Sequence, residues 1–246
     1  MIGVFDSGLG GIAALLPLLK LAPHADILYY ADTEALPLGE KSDAEIRARV
    51  GRALAFFADA GVEGVLLACG TASSLLTEKC KESFAFPIVD ILSPTASALR
   101  ALPKDASVLL LATPATVRAS RFASALARSS RPVFSFPAPA LVKLAEAGNA
   151  CPQKIARAVS LAQAVAPQAV VLGCTHFSLL SREIASLFPK SRILDAAALG
   201  AAATAARVPL TGDGQLRFCT TGDPDRFSKR ASRILSRPVR AEQIIS

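Results

Sequence analysis

A chain of 246 residues, 52% hydrophobic and 19% charged, is long enough for one large or two compact α/β units and too apolar to be dominated by disorder. No run approaches the roughly 18 to 20 apolar residues of a membrane span, MIGVF has neither the basic nor the apolar region of a signal peptide, and five scattered cysteines form no disulfide framework. A cytoplasmic protein with free thiols and no membrane contact is expected. The net charge of +7 raises nucleic-acid binding, but with no Trp and two Tyr no aromatic platform accompanies the basic groups, and no nucleic-acid partner is expected.

In chain order, IGVF (2–5) reads as a strand, Asp6 to Gly11 as a glycine-rich turn, and the following residues to about Lys20 as a helix. ILYYAD is a second strand ending at Asp32, and a loop with Pro37 and Gly39 follows. Ser42 and Glu45 form a capping box for a helix to about Ala60. GVLL leads to Cys69, a helix is expected from Ala72 to about Lys81, then the short strand PIVDI and a segment interrupted by Pro94. SVLLLA opens a second run: Thr113 to Arg118 turns into a helix, Phe134 to Phe136 is a weak strand, and helices cover Leu141 to Gly148 and Pro152 to Ala166. The strand before Cys174, a helix through Phe188 and the strand ILDAA complete it. VPLTG and LRFCTTGD are expected to return to the first unit as extra strands. Arg226, Lys229, Arg230, Arg233, Arg237 and Arg240, among Phe227, Ile234 and Leu235, read as the solvated face of a covering amphipathic helix. The alternation predicts an α/β protein of two doubly wound, mostly parallel-sheet domains, residues 1–93 with 207–246 and residues 94–206.

Two stretches concentrate chemistry. AVVLGCTHFSLL (169–180) and GVLLACGTASS (64–74) each end a buried strand in a cysteine followed by hydroxyl-bearing residues. The carboxyl end of a parallel strand is where open α/β proteins bind ligands. Three uses compete. Gly8, Gly10 and Ala13 with Asp32 partly match a dinucleotide-binding pattern, but Asp6 and Ser7 put a carboxylate where a pyrophosphate would lie. A metal site would draw on Cys69, Cys174, His176 and His24, yet no C-x-x-C pair exists and His24 and His176 are the whole histidine complement; neither metal nor cofactor is expected. The third use is proton transfer by two thiols, whose pKa a strand-end setting can lower. A single buried cysteine more often behaves as an inert small hydrophobe, and Cys80, Cys151 and Cys219 are left to that role.

FDSGLGG, ADTEALPLGEKS, ACGTAS, TPATVRAS and GCTHFSLL, in this order over residues 5–180, resemble the glutamate racemases of the aspartate/glutamate racemase superfamily. The resemblance implies two α/β domains related by pseudo-twofold symmetry, a cofactor-independent site in the cleft between them, glutamate as the small-molecule substrate, and D-glutamate supplied for peptidoglycan. It makes Cys69 and Cys174 the two acid/base residues, with Asp6 and His176 in support. Ser7, Pro37, Gly39, Thr71, Thr116 and Thr175 match positions that hold the substrate; Thr113 lies nearby, and Leu38 and Gly70 belong to the same set as departures. The family usually has Asn at Gly70, Tyr at Leu38, Tyr-Pro at Phe177 and Ser178, and Ser at Ala196. Gly70 is expected to leave open space beside Cys69, so that Gly70→Asn raises efficiency toward glutamate. The departures keep a weaker racemase, one acting on another acidic amino acid, or a mainly partner-binding protein as alternatives, and a homodimer stays open.

Overall fold

The computed structural model describes residues 1–127, 131–148 and 150–244. Ten strands are named here in chain order: β1 Ile2–Asp6, β2 Ile27–Ala31, β3 Gly64–Leu67, β4 Ile88–Asp90, β5 Val108–Ala112, β6 Val133–Pro137, β7 Ala169–Leu172, β8 Arg192–Asp195, β9 Leu216–Thr220 and β10 Ala241–Gln243. They form two sheets, β10-β9-β2-β1-β3-β4 and β6-β5-β7-β8, and among the described residues every pairing is parallel. The order β2-β1-β3-β4 in the first repeats as β6-β5-β7-β8 in the second. β1, β2, β3, β5 and β7 are buried along their whole length, as their near-continuous apolar sequences require when helices cover both faces of a parallel sheet.

The register puts the chemistry at matching places. Phe5 of β1 pairs with Leu67 of β3, so Asp6, Ser7 and Cys69 emerge at one carboxyl edge. Leu111 of β5 pairs with Leu172 of β7, so Thr113 and Cys174 emerge at the other. Between the sheets, the helix Ala196–Ala205 packs on the helices Ile12–Leu21 and Leu92–Ala98. Gly200 permits the close approach: a Cβ there would lie 2.6 Å from Ile91 Cγ2.

Several elements differ from the sequence-based expectation. The helix expected over 72–81 is two helices, Gly70–Leu75 and Glu78–Glu82. Ser73 and Ser74 hydroxyls donate to the carbonyls of Leu67 and Gly70, and Thr77 accepts from the Cys80 N–H to start the second helix. Pro94 does not interrupt its segment, because it sits in the first turn of the helix Leu92–Ala98, where its missing N–H is not needed. The helix after Cys174 also divides, into Thr175–Ser178 and Ser181–Leu187. VPLTG is not a strand; the second added strand is β10. The helix Ala196–Ala205 was not legible as an element, since its alanine-rich sequence has almost no amphipathic pattern while it packs on both sides.

Candidate active site

Cys69 precedes the first turn of the helix Gly70–Leu75, and Cys174 that of Thr175–Ser178. Both are buried. They line one cavity together with Ser7, Pro37, Leu38, Gly39, Thr71, Thr113, Thr175 and His176. Ten of the thirteen residues expected from the sequence thus share one wall. Its free volume is about 20 Å³, room for roughly one water. The remaining three stand behind the wall: Asp6 under the Thr175 hydroxyl, Thr116 against Thr113, and Gly70 against the turn that carries Cys174.

The two thiols differ in their partners. Cys69 Sγ lies 3.8 Å from Ser7 Oγ. Burial first, and the charge of Asp6 second, push its thiol up to about 12, so at neutral pH Cys69 keeps its proton. Cys174 Sγ lies 3.8 Å from His176 Nδ1, and His176 Nε2 is 2.6 Å from Glu146 Oε1. Burial works against charge on His176, but the hydrogen bonds to Cys174 and Glu146 and the charge of Asp6 outweigh it and hold the imidazole well above its ordinary pKa. Asp6 accepts from the Gly8 N–H at 2.9 Å and the Thr175 hydroxyl at 2.8 Å, although full burial raises its carboxyl above the usual range. A row of hydroxyls completes the wall, with Thr71 to Thr113 at 2.8 Å and Thr113 to Thr116 at 3.0 Å.

Gly70 corrects an expectation. No open space lies beside it: a Cβ would fall 1.9 Å from the Gly173 carbonyl oxygen, so the turns bearing the two cysteines touch backbone to backbone. An asparagine there has no room unless the turns separate. The other departures divide by place. Leu38 lines the cavity, whereas Phe177 and Ala196 are fully buried outside it and the Ser178 hydroxyl donates to Asp195 at 2.7 Å. Asp32, weighed as part of a dinucleotide-binding pattern, has its Oδ1 held by Arg49 and the Thr221 hydroxyl, each at 2.9 Å.

Glu146 and Arg230 were not found from the sequence. Glu146 ends the helix Pro139–Glu146 and reads there as an ordinary polar helix residue. Arg230, taken as part of a solvated face, instead reaches Glu146 Oε2 at 2.8 Å. The polar-face reading fails at that position because the helix Pro224–Leu235 lies beside the site rather than over open solvent.

The sequence profile described as Asp/Glu/Hydantoin racemase matches residues 11–204. The chain belongs to this family. Among curated relatives of this racemase, the glutamate racemase of Herpetosiphon aurantiacus is 36% identical, over 93% of this chain and 95% of that one. The glutamate racemase of Deinococcus radiodurans is 37% identical, over 91% and 82%. Among solved structures, the glutamate racemase of Francisella tularensis in complex with D-glutamate superposes with a TM-score of 0.88 at 25% identity, over 99% of this racemase and 96% of that chain. Family membership makes the protein an isomerase of the amino-acid racemase type. Among the described residues of the racemase, no helix is long and apolar enough to cross a membrane.

Proposed function

We propose that this racemase interconverts L- and D-glutamate without a cofactor, using Cys69 and Cys174 as the two acid/base groups. The reading rests on one observation above all: two cysteines, at equivalent strand ends of two sheets that share a four-strand order, line a single cavity. The names of the relatives support glutamate as the substrate.

In one direction the Cys174 sulfur, as thiolate, takes the α-proton. The electron pair left at the α-carbon delocalises into the substrate carboxylate. The Cys69 thiol, which holds its proton at neutral pH, delivers it to the opposite face, so Cys174 ends as thiol and Cys69 as thiolate. The reverse direction exchanges the roles and begins from the form that this turnover leaves, Cys69 as thiolate and Cys174 as thiol. Ser7, Thr71 and Thr113 supply hydroxyl donors to the substrate's carboxylates and Thr175 lines the site with its hydroxyl proton held by Asp6, with Thr116 bracing Thr113 and the main chain of Pro37 to Gly39 closing the other side. His176 is positioned to stabilise negative charge on Cys174, and Asp6 orients Thr175. Since the cavity holds about one water, glutamate enters only when the two lobes part, which we place at residues 1–93 with 207–246 and residues 94–206. D-glutamate made in the cytoplasm would then serve peptidoglycan synthesis.

The test is racemisation of glutamate by enzyme purified with chelator and without pyridoxal phosphate. Cys69→Ser and Cys174→Ser are each expected to abolish it, because a full inversion needs both groups. Near-normal turnover in either variant overturns the assignment.

A further inference from the structure

Arg230 is the feature of the site that neither the two-thiol mechanism nor the family resemblance uses. It stands on the C-terminal helix Pro224–Leu235, 84 residues beyond the carboxylate it meets. Its Nη1 lies 2.8 Å from Glu146 Oε2, and the other oxygen of the same carboxylate, Oε1, lies 2.6 Å from His176 Nε2. The far side of that imidazole faces Cys174 Sγ at 3.8 Å. Both carboxylate oxygens are therefore taken, one by the guanidinium and one by the ring.

We propose that Arg230 is a positioning residue for Cys174: it holds Glu146 in the one orientation that grips His176, the imidazole facing the Cys174 sulfur. The proposal rests on the two-thiol reading for its catalytic consequence, but not for its geometry.

The orientation needs holding because the other side of Glu146 is open. Glu146 and Arg230 both line a neighbouring pocket of about 510 Å³. A carboxylate beside such a space can rotate toward water unless something fixes it, and a charge-assisted hydrogen bond to a planar guanidinium is suited to that. The other groups able to hold Glu146 are weaker. The Leu9 N–H reaches Oε1 at 3.4 Å, Lys143 on the same helix is 3.9 Å from Glu40, and Arg226 lines the same pocket one helical turn before Arg230. The titratable groups facing His176 are Cys174, Glu146 and Asp6, so a change at Glu146 reaches the ring directly.

The test uses full-length enzyme and the variants Arg230→Met, Arg230→Gln and Arg230→Lys. The chain has two histidines, and His24 is exposed, so carbon-labelled histidine gives two NMR signals, one of them an internal folding control. With Arg230→Met or Arg230→Gln, Glu146 spends time turned away. The His176 signal is then expected to titrate at lower pH than in wild type, with His24 unmoved, and kcat/KM to fall by roughly 3- to 30-fold. Arg230→Lys should restore part of both. The primary isotope effect of α-deuterated substrate should rise for the enantiomer whose proton Cys174 removes and fall for the other, a pattern that general loosening of the fold does not produce.

An unchanged His176 titration in a folded variant overturns the proposal, whatever the activity does. So does a shift to higher pH, which would mean that Arg230 acts on the ring only as a like charge. Because the NMR readout needs no turnover, an enzyme inactive on glutamate would defeat the proposed function and leave this measurement decisive.

Discussion

Gly70→Ala is the substitution whose effect the structure specifies most sharply. The added Cβ would lie 1.9 Å from the Gly173 carbonyl oxygen, where carbon and carbonyl oxygen ordinarily approach no closer than about 3.3 Å. The turns that carry Cys69 and Cys174 must therefore separate by more than about 1 Å. A misplacement of that size between catalytic groups costs on the order of 100-fold in rate, and the overpacking itself costs about 1 to 3 kcal/mol. For a chain of this length such a loss lowers Tm by roughly 2 to 12 °C. The assay is steady-state racemisation of glutamate beside a thermal melt, with Gly51→Ala as the control. Gly51 lies within the helix Asp43–Asp59 with nothing within 4 Å of an added Cβ, so alanine there should be neutral or stabilising by up to about 1 kcal/mol. Wild-type or better turnover by Gly70→Ala, or by Gly70→Asn, refutes the claim that contact between these turns sets the spacing of the thiols.

The remaining expectations concern charge. His176 is held above its ordinary pKa of 6.5 and Glu146 below its ordinary 4.5, so the pair stabilises the fold most between about pH 4.5 and 6.5; the contribution falls as pH drops through the folded pKa of Glu146 and as it rises through that of His176. His176→Asn should lose about 3 kcal/mol within that window and less outside it, as read by urea unfolding across pH; a pH-independent loss contradicts the pairing. Cys69, pushed up to about 12, should add no thiolate absorbance until the pH nears that value, as seen in the difference spectrum between wild type and Cys69→Ser; a thiolate signal from Cys69 near pH 8 would be inconsistent with its burial beside Asp6. Arg230→Met should lower the pH at which the labelled His176 signal titrates, since Glu146 then loses the partner of its second oxygen.

Much of this arrangement was legible in the residues alone, because the signals were local. An apolar run followed by Gly-Cys-Thr-His, or by Cys-Gly-Thr, marks a buried strand and the turn after it, and the parallel register then brings such turns to one edge. What was not legible depends on packing between distant segments. Gly70 looked like spare room because its neighbour across the site, the Gly173 carbonyl, belongs to the turn that follows β7 in the other sheet. Glu146 and Arg230 looked like ordinary helix polar groups because nothing in a periodic pattern says which solvent-facing arginine meets a carboxylate 84 residues away. The helix Ala196–Ala205 escaped notice because it is small-sided all round and so carries no amphipathic stripe, the feature that lets it lie between other helices.

In the proposed mechanism two separate groups, on opposite faces of the α-carbon, move the proton. It is tested most directly by starting the reaction with one enantiomer of glutamate in heavy water, stopping it at low conversion and measuring α-deuterium separately in the product and in the recovered substrate. Inversion between Cys69 and Cys174 predicts product carrying deuterium and recovered substrate still carrying protium, from either starting enantiomer, because the base that removes the proton is not the acid that replaces it. Equal deuterium in recovered substrate and product, from the earliest times, would mean that one group serves both faces and would contradict the account.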